Sequence, residues 1–359
     1  MASRWKPLVA VLAAGAVIMV AVGVGTAAAA GGGFTVTPLV SNNGVPGTTP
    51  DTNLVNAWGL AAGPTTPWWV NDNGQGVATL YTGAGAKVPR TFVVGDDPTG
   101  LVFNGPGLTD KTAFDLKGGD GGAALFLFDS EAGAISAWNP SLGTTAETEL
   151  TPPGAVFKGL AIAQTSAGPR LYATDFHNRR VDVFDGSWQP VQRPFQFFDP
   201  TIPRNYGPFG IQAIGDRVFV TYAKTQPGSN DEAHGAGLGF VDSFDAATGI
   251  LDGKFAGHGE LNAPWGIAQA PTGFGPFGGD VLIGNFGDGR IHAYRPILGG
   301  LLYVPQGPLR GSNGPLSIDG LWALEFGTGS TNGGPTGTLF FTAGPDDESN
   351  GLFGTITSS

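Results

Sequence analysis

The sequence predicts an all-β chain, a six-bladed β-propeller with four-stranded blades. Three observations carry this: backbone breakers too dense for helices, a Gly-apolar strand start that recurs six times, and one orphan strand ahead of the array. Of 359 residues 61 are Gly and 28 Pro, and 13% are charged. Between the breakers stand short aromatic and β-branched clusters, the composition of many short strands joined by turns. With 41% apolar residues a sizeable core is feasible.

Residues 1 to 30 are set apart from the fold. Arg4 and Lys6 precede an uncharged apolar run from Leu8 that closes in Ala27 to Ala30. That is the layout of a cleavable secretory signal, although the run is also long enough to anchor in a bilayer. A secreted or extracytoplasmic location is expected, with no membrane span once the signal is removed.

The recurring start reads AWGLAA at Gly59, PTGLVF at Gly100, FKGLAI at Gly159, PFGIQA at Gly210, PWGIAQ at Gly266 and IDGLWA at Gly320. A spacing of roughly 50 residues falls among the periods of propeller blades. A nearly all-apolar second strand follows each start: WWVND ending in Asp72, LFLFD in Asp129, LYATD in Asp175, VFVTY in Tyr222, VLIGN in Asn285 and LFFTA in Ala343. Apolar at almost every position, these are strands covered on both faces.

Third strands, such as RVDVFDG and RIHAYRP, alternate more and lead outwards. Of the fourth strands, RTFVVG and LLYVPQG are the clearest. The sixth unit stops after its third strand, while FTVTPLVS (Phe34 to Ser41) precedes the first start without a partner. Set as the outer strand of the last blade, it closes the ring and removes an open edge. Residues 34 to 358 therefore read as one domain.

The units GLAIA…PRLYATDFHNRRVDVFD and APWGIAQAP…GDVLIGNFGDGRIHAYRP resemble NHL-type propeller repeats. The chain from 34 to 357 resembles a family of exported bacterial propeller proteins of no established activity, on the motifs NAWGLA, LYATDFHN, LNAPWGIAQAP, GNFGDGRI, DGLWAL and FFTAGP. This resemblance implies the fold and leaves the activity open. In repeat style the chain is more distantly similar to the gluconolactonase and regucalcin propellers, which hold a central divalent ion with carboxylates and Asn amides.

In an antiparallel hairpin the start of one strand lies beside the end of the next. Residues preceding the recurring Gly, among them Trp58, Lys158, Trp265 and Asp319, should then share one face with the second-strand ends. Asp72, Asp129, Asp175 and Asn285 supply hard oxygen ligands suited to Ca²⁺ or another divalent cation. The same side chains serve equally as turn formers bonded to local N–H groups. Lys158 and Asp319 interrupt apolar strands, either as a paired network or as site residues, and His177 in the FHNRR turn could join the face.

The fourth unit carries an insertion, Lys224 to Gly237, with Asp231, Glu232 and His234 on a loop that could fold over the axis. GPDDESNG in the last unit is a similar acidic turn without the spacing of an EF-hand. There is no H-E-x-x-H, G-x-S-x-G or P-loop motif, and GFGPFG (Gly273 to Gly278) is a loop. Without cysteine the chain holds no disulfide and no thiol nucleophile. A net charge of −11 argues against nucleic acid as partner.

The expected function is a monomeric scaffold that binds a small molecule or an extracellular protein at the polar face of the channel. The alternative is a divalent-metal hydrolase of lactonase type.

Overall fold

The computed structural model describes residues 33–118, 120–255 and 259–359, so the leader segment lies outside the described residues. These residues form an all-β propeller whose helical content is limited to single 3₁₀ turns. None of its helices is long and apolar enough to cross a membrane.

The strands group into repeated antiparallel units. Ala57–Ala61, Trp68–Asp72, Val77–Tyr81 and Lys87–Val93 form the first, and Pro98–Phe103, Phe126–Ser130, Ile135–Trp138 and Glu147–Leu150 the second. The third is three-stranded, Phe157–Thr165, Gly168–Asp175 and Arg180–Asp185. Tyr206–Ile214, Arg217–Thr225, Gly239–Asp245 and Leu251–Phe255 follow, then Pro264–Gln269, Val281–Asn285, Ile291–Ile297 and Leu302–Pro308. Leu321–Phe326, Leu339–Ala343 and Leu352–Ser358 come last, and Phe34–Ser41 pairs antiparallel with Leu352–Ser358.

Each first strand touches the first strands of its neighbours, and Leu321–Phe326 returns to Ala57–Ala61. The contact is backbone on backbone. A Cβ added at Gly59 would stand 2.3 Å from the Thr99 carbonyl oxygen, at Gly210 2.0 Å from that of Trp265, and at Gly266 2.6 Å from that of Trp322. Glycine is required here because nothing larger fits between the strands.

A register shift interrupts every first strand at this point. In four units a polar second-strand residue bonds there, Asp129, Thr174, Thr221 and Thr342, while Asn71 of the first unit bonds the second unit's Gly100 carbonyl. Several also reach the next unit, as where the Thr174 hydroxyl donates to the Phe209 carbonyl (2.7 Å) and Asn71 Nδ2 to Thr99 O (3.1 Å). The bulge frees polar groups, and these side chains satisfy them.

Two expected registers are corrected. In the sixth unit Leu321 faces Ala343 and Leu324 faces Phe341, so Ala323 occupies the ring position and Trp322 the place before it. Gly320 is instead a turn residue at φ +64, and Asp319 precedes the strand. In the second unit the strand ends at Ser130 opposite Pro98, one residue later than expected. Asp129 therefore projects from the opposite side of its strand to Asp72 and Asp175, because side chains alternate faces.

Substituting Gly210 tests the close approach. Gly210→Ala drives a methyl group into a backbone carbonyl and should cost about 3 kcal/mol. Gly105→Ala, where a Cβ meets nothing within 4 Å, should cost under about 0.5 kcal/mol. Denaturant unfolding of both reads the difference; equal costs would refute the steric account.

Candidate functional site

Three tryptophans from three first strands fill the axis. Trp58 and Trp322 stack with ring centroids 3.6 Å apart, Phe286 stacks on the other side of Trp322 at 3.9 Å, and Trp265 meets Trp322 edge-on at 5.9 Å. Phe209 adds an edge contact to Trp322. These rings close the channel with an apolar plug, since aromatic pairs gain beyond their buried area in such geometries.

Polar groups converge over this plug. Lys158, the residue before the ring glycine of the third unit and 2% exposed, is ion-paired with Glu131 from the turn after the second unit's second strand. Its ammonium also lies 5.4 Å from the Trp58 ring and 5.8 Å from that of Phe176, within cation–π range. Burial alone would lower the Lys158 pKa, but Glu131, Glu232 and Asp231 outweigh it and hold the lysine protonated, above its ordinary value.

A chain of amides links Glu131 to the last unit. Asn73 Nδ2 donates to Glu131 (3.3 Å), and Asn56 Nδ2 donates both to Asn73 Oδ1 (3.1 Å) and to Glu348 (2.6 Å). The Trp322 indole donates to Asn56 Oδ1 at 2.8 Å, which ties the network to the plug. Among the described residues the buried Trp58 indole N–H has no acceptor.

Glu348 reaches the mouth on a strained turn. Asp346, Asp347 and Glu348 take φ of +57, +51 and +63 in succession, a left-handed run that costs non-glycine residues energy. Asp319 helps to hold it, accepting the Asp346 N–H at 2.9 Å. Burial, with Glu232 and Glu131 nearby, raises the Glu348 pKa to about 7, against the opposing pull of Lys158 and Asn56.

The fourth unit's insertion supplies the remaining groups. Glu232–Ala233 forms a short strand against Lys224 and Thr225. Buried Glu232 faces His234 at 3.4 Å and raises its pKa, and the His234 ring meets Phe286 edge-on at 5.1 Å. His177 Nδ1 pairs with Asn230 at 2.8 Å, on the rim of a groove of about 860 Å³ beneath the same insertion.

The expected site residues thus part company. Trp58, Lys158 and Trp265 lie at the plug, Trp265 donating its indole N–H to the Lys158 carbonyl. Asp319 supports the Glu348 turn, and His177 belongs to the groove. Asp175 accepts from Asn178 and Val156 N–H, and Asn285 donates to Glu260 O and Asp288, both within their own units. Asp129 accepts from Thr99 and Gly100. Asp72 is buried with neither oxygen hydrogen-bonded, and burial pushes its pKa well up.

Among the described residues no three His, Asp or Glu side chains are grouped so as to hold a metal ion. Sequence reasoning missed Asn56, Asn73, Glu131, Glu348 and Trp322. For Glu348 there was a signal, the acidic turn GPDDESNG; Glu131 follows its strand as an ordinary turn residue.

Glu348 links the site to pH. Its carboxyl holds a proton to about pH 7 when folded, against an ordinary value of 4.5. The folded state binds more protons between those limits, so this group makes stability fall as pH rises through that window. Glu348→Gln removes the fall: its melting temperature should gain on the parent between pH 4.5 and 7.5. A gap that does not change with pH would refute the burial of this acid.

No family model matches the chain. Solved structures that it resembles include a gluconolactonase from Xanthomonas campestris (TM-score 0.48, 13% identity, 86% of this chain and 87% of that one). A PQQ-bound aldose sugar dehydrogenase from Streptomyces coelicolor gives TM-score 0.48 and 16% identity over 92% and 99% of the chains. At these scores they carry nothing about chemistry. In sequence the relatives found are viral, where the motifs suggested bacterial ones. Uncharacterized protein R648 of Acanthamoeba polyphaga mimivirus is 34% identical over 337 residues, 89% of this chain and 78% of that protein. Uncharacterized protein L690 of the same virus is 32% identical over 344 residues, 89% and 84% respectively. The chain belongs to the family of these two mimivirus proteins.

Proposed function

We propose that the chain is an exported six-bladed propeller, its ring closed by Phe34–Ser41 in the last blade, that binds a small polar ligand at the mouth of its channel. The observation that carries this reading is the buried Lys158 and its ring of carboxylates. Groups from five units meet there, Asn56 and Asn73 from the first, then Glu131, Lys158, Glu232 with His234, and Glu348. Turn formation alone needs no such convergence, because a turn is satisfied within its own hairpin.

The charge balance selects the ligand class. Three glutamates face one lysine, so the mouth offers more acceptors than donors. A ligand bearing an amine or several hydroxyls complements it, with the aromatic plug as an apolar floor. Binding without turnover is favoured over metal-dependent hydrolysis because Asp129, Asp175 and Asn285 are engaged inside their own units.

Thermal-shift titration with spermidine, glucosamine and choline tests this on the full protein and on the Glu131→Gln/Glu348→Gln double variant. At least one compound should raise the melting temperature of the parent saturably, with the shift reduced by more than half in the variant. No shift from any of the three, or equal shifts in both proteins, would sink the reading.

A further inference from the structure

On the other side of the tryptophan plug the axis opens into a cavity of about 270 Å³, lined by residues from the first strands of all six units described. The strand registers identify the positions equivalent to Glu325, of which Ala61, Val102 and Gln212 also line the cavity. Ala61 faces Trp69, Val102 faces Leu127, Ala161 faces Tyr172, Gln212 faces Phe219, Ala268 faces Leu282 and Glu325 faces Phe340. Equivalent positions therefore carry small or aliphatic residues in four units, an amide in one and a carboxylate in the sixth.

Among the described residues the Glu325 carboxyl has no hydrogen-bond or ion-pair partner, and every other lining residue is uncharged. The side chain is half-buried, and burial raises its pKa to about 8. A carboxylate in such a setting must hold a proton or take a cation from outside. Gln212 is the only other polar side chain of the lining. One carboxylate and one amide fall short of the six to eight oxygens that Ca²⁺ takes.

We infer that this cavity is a binding site for a small organic ammonium ion, its hydrocarbon part against the aliphatic lining and its nitrogen on the Glu325 carboxylate. The volume sets the size. An apolar cavity of about 150 Å³ accepts benzene, so a ring or chain of roughly six to ten carbons fits this one. An ammonium of that kind stays charged at neutral pH, and its arrival displaces the Glu325 proton to solvent. This site lies apart from the mouth and does not depend on the ligand proposed there.

Isothermal titration of the full protein with cyclohexylammonium chloride tests the inference. One equivalent should bind, with release of close to one proton at pH 7 read from buffers of different ionisation enthalpy. Affinity should rise about tenfold from pH 7 to pH 9 as Glu325 ionises. Glu325→Gln should weaken binding at least tenfold and abolish the proton release. Its folding is checked by melting, where the variant should gain on the parent as pH rises from 5 to 9. Cyclohexanol, lacking the charge, should bind at least tenfold more weakly than the ammonium. Absence of binding, binding without proton release, or equal affinity in Glu325→Gln or for cyclohexanol would overturn the inference.

Discussion

Everything in this protein is arranged around the approach of one inner strand to the next at the ring glycines. At Gly59, Gly210 and Gly266 the neighbouring carbonyl lies closer than any Cβ would permit. Strands drawn this tight leave a narrow axis, and they leave peptide groups at each bulge that the regular ladder cannot reach. The second strands supply Asn71, Asp129, Thr174, Thr221 and Thr342 to satisfy these groups, often across to the next unit. Steric and hydrogen-bonding demands thus act at the same level of the ring, which explains why a small polar residue interrupts strands otherwise apolar throughout.

The tight axis also decides where polar chemistry can sit. Residues preceding the ring positions project where the strands converge, and in three units these are tryptophans whose rings meet in the centre. They divide the axis into a charged mouth and an apolar cavity. Above them, Lys158 can be buried because Glu131 pairs with it and Trp58 and Phe176 offer ring faces. Below them the lining is the aliphatic inner face of the strands, and a single carboxylate there has nothing to pair with.

The architecture was legible because its signals are local: a glycine with apolar neighbours, a run covered on both faces, a turn. Strand bounds such as Trp68–Asp72, Val281–Asn285 and Leu339–Ala343 coincide with those expected. The site was legible only in part, because facing depends on register and register depends on bulges. One residue of slip in the second unit put Asp129 on the wrong side of its strand. A slip of three in the sixth, caused by Gly320 imitating the ring glycine, put Asp319 where Trp322 stands. Asn56 and Glu348 escaped notice for another reason. Both sit at positive φ in turns, where polar residues are ordinary, and only the fold reveals that two such turns meet.

The sixth unit is where the chain departs most from its own repeat, and two of the departures cost stability. Ala323 replaces glycine at the ring, Glu325 replaces the small or uncharged residue of its five counterparts, and three successive residues take left-handed backbone to bring Glu348 to the mouth. Burial raises the pKa of both glutamates, so each disfavours the folded state as pH rises past the ordinary carboxylate range. A repeat chosen for packing alone would place alanine at 325, as the first, third and fifth units do at the same level. A left-handed run that carries Glu348 to the mouth and an unpaired Glu325 in the cavity put strain and an unpaired carboxyl on both sides of the plug, features of this repeat that folding alone does not require.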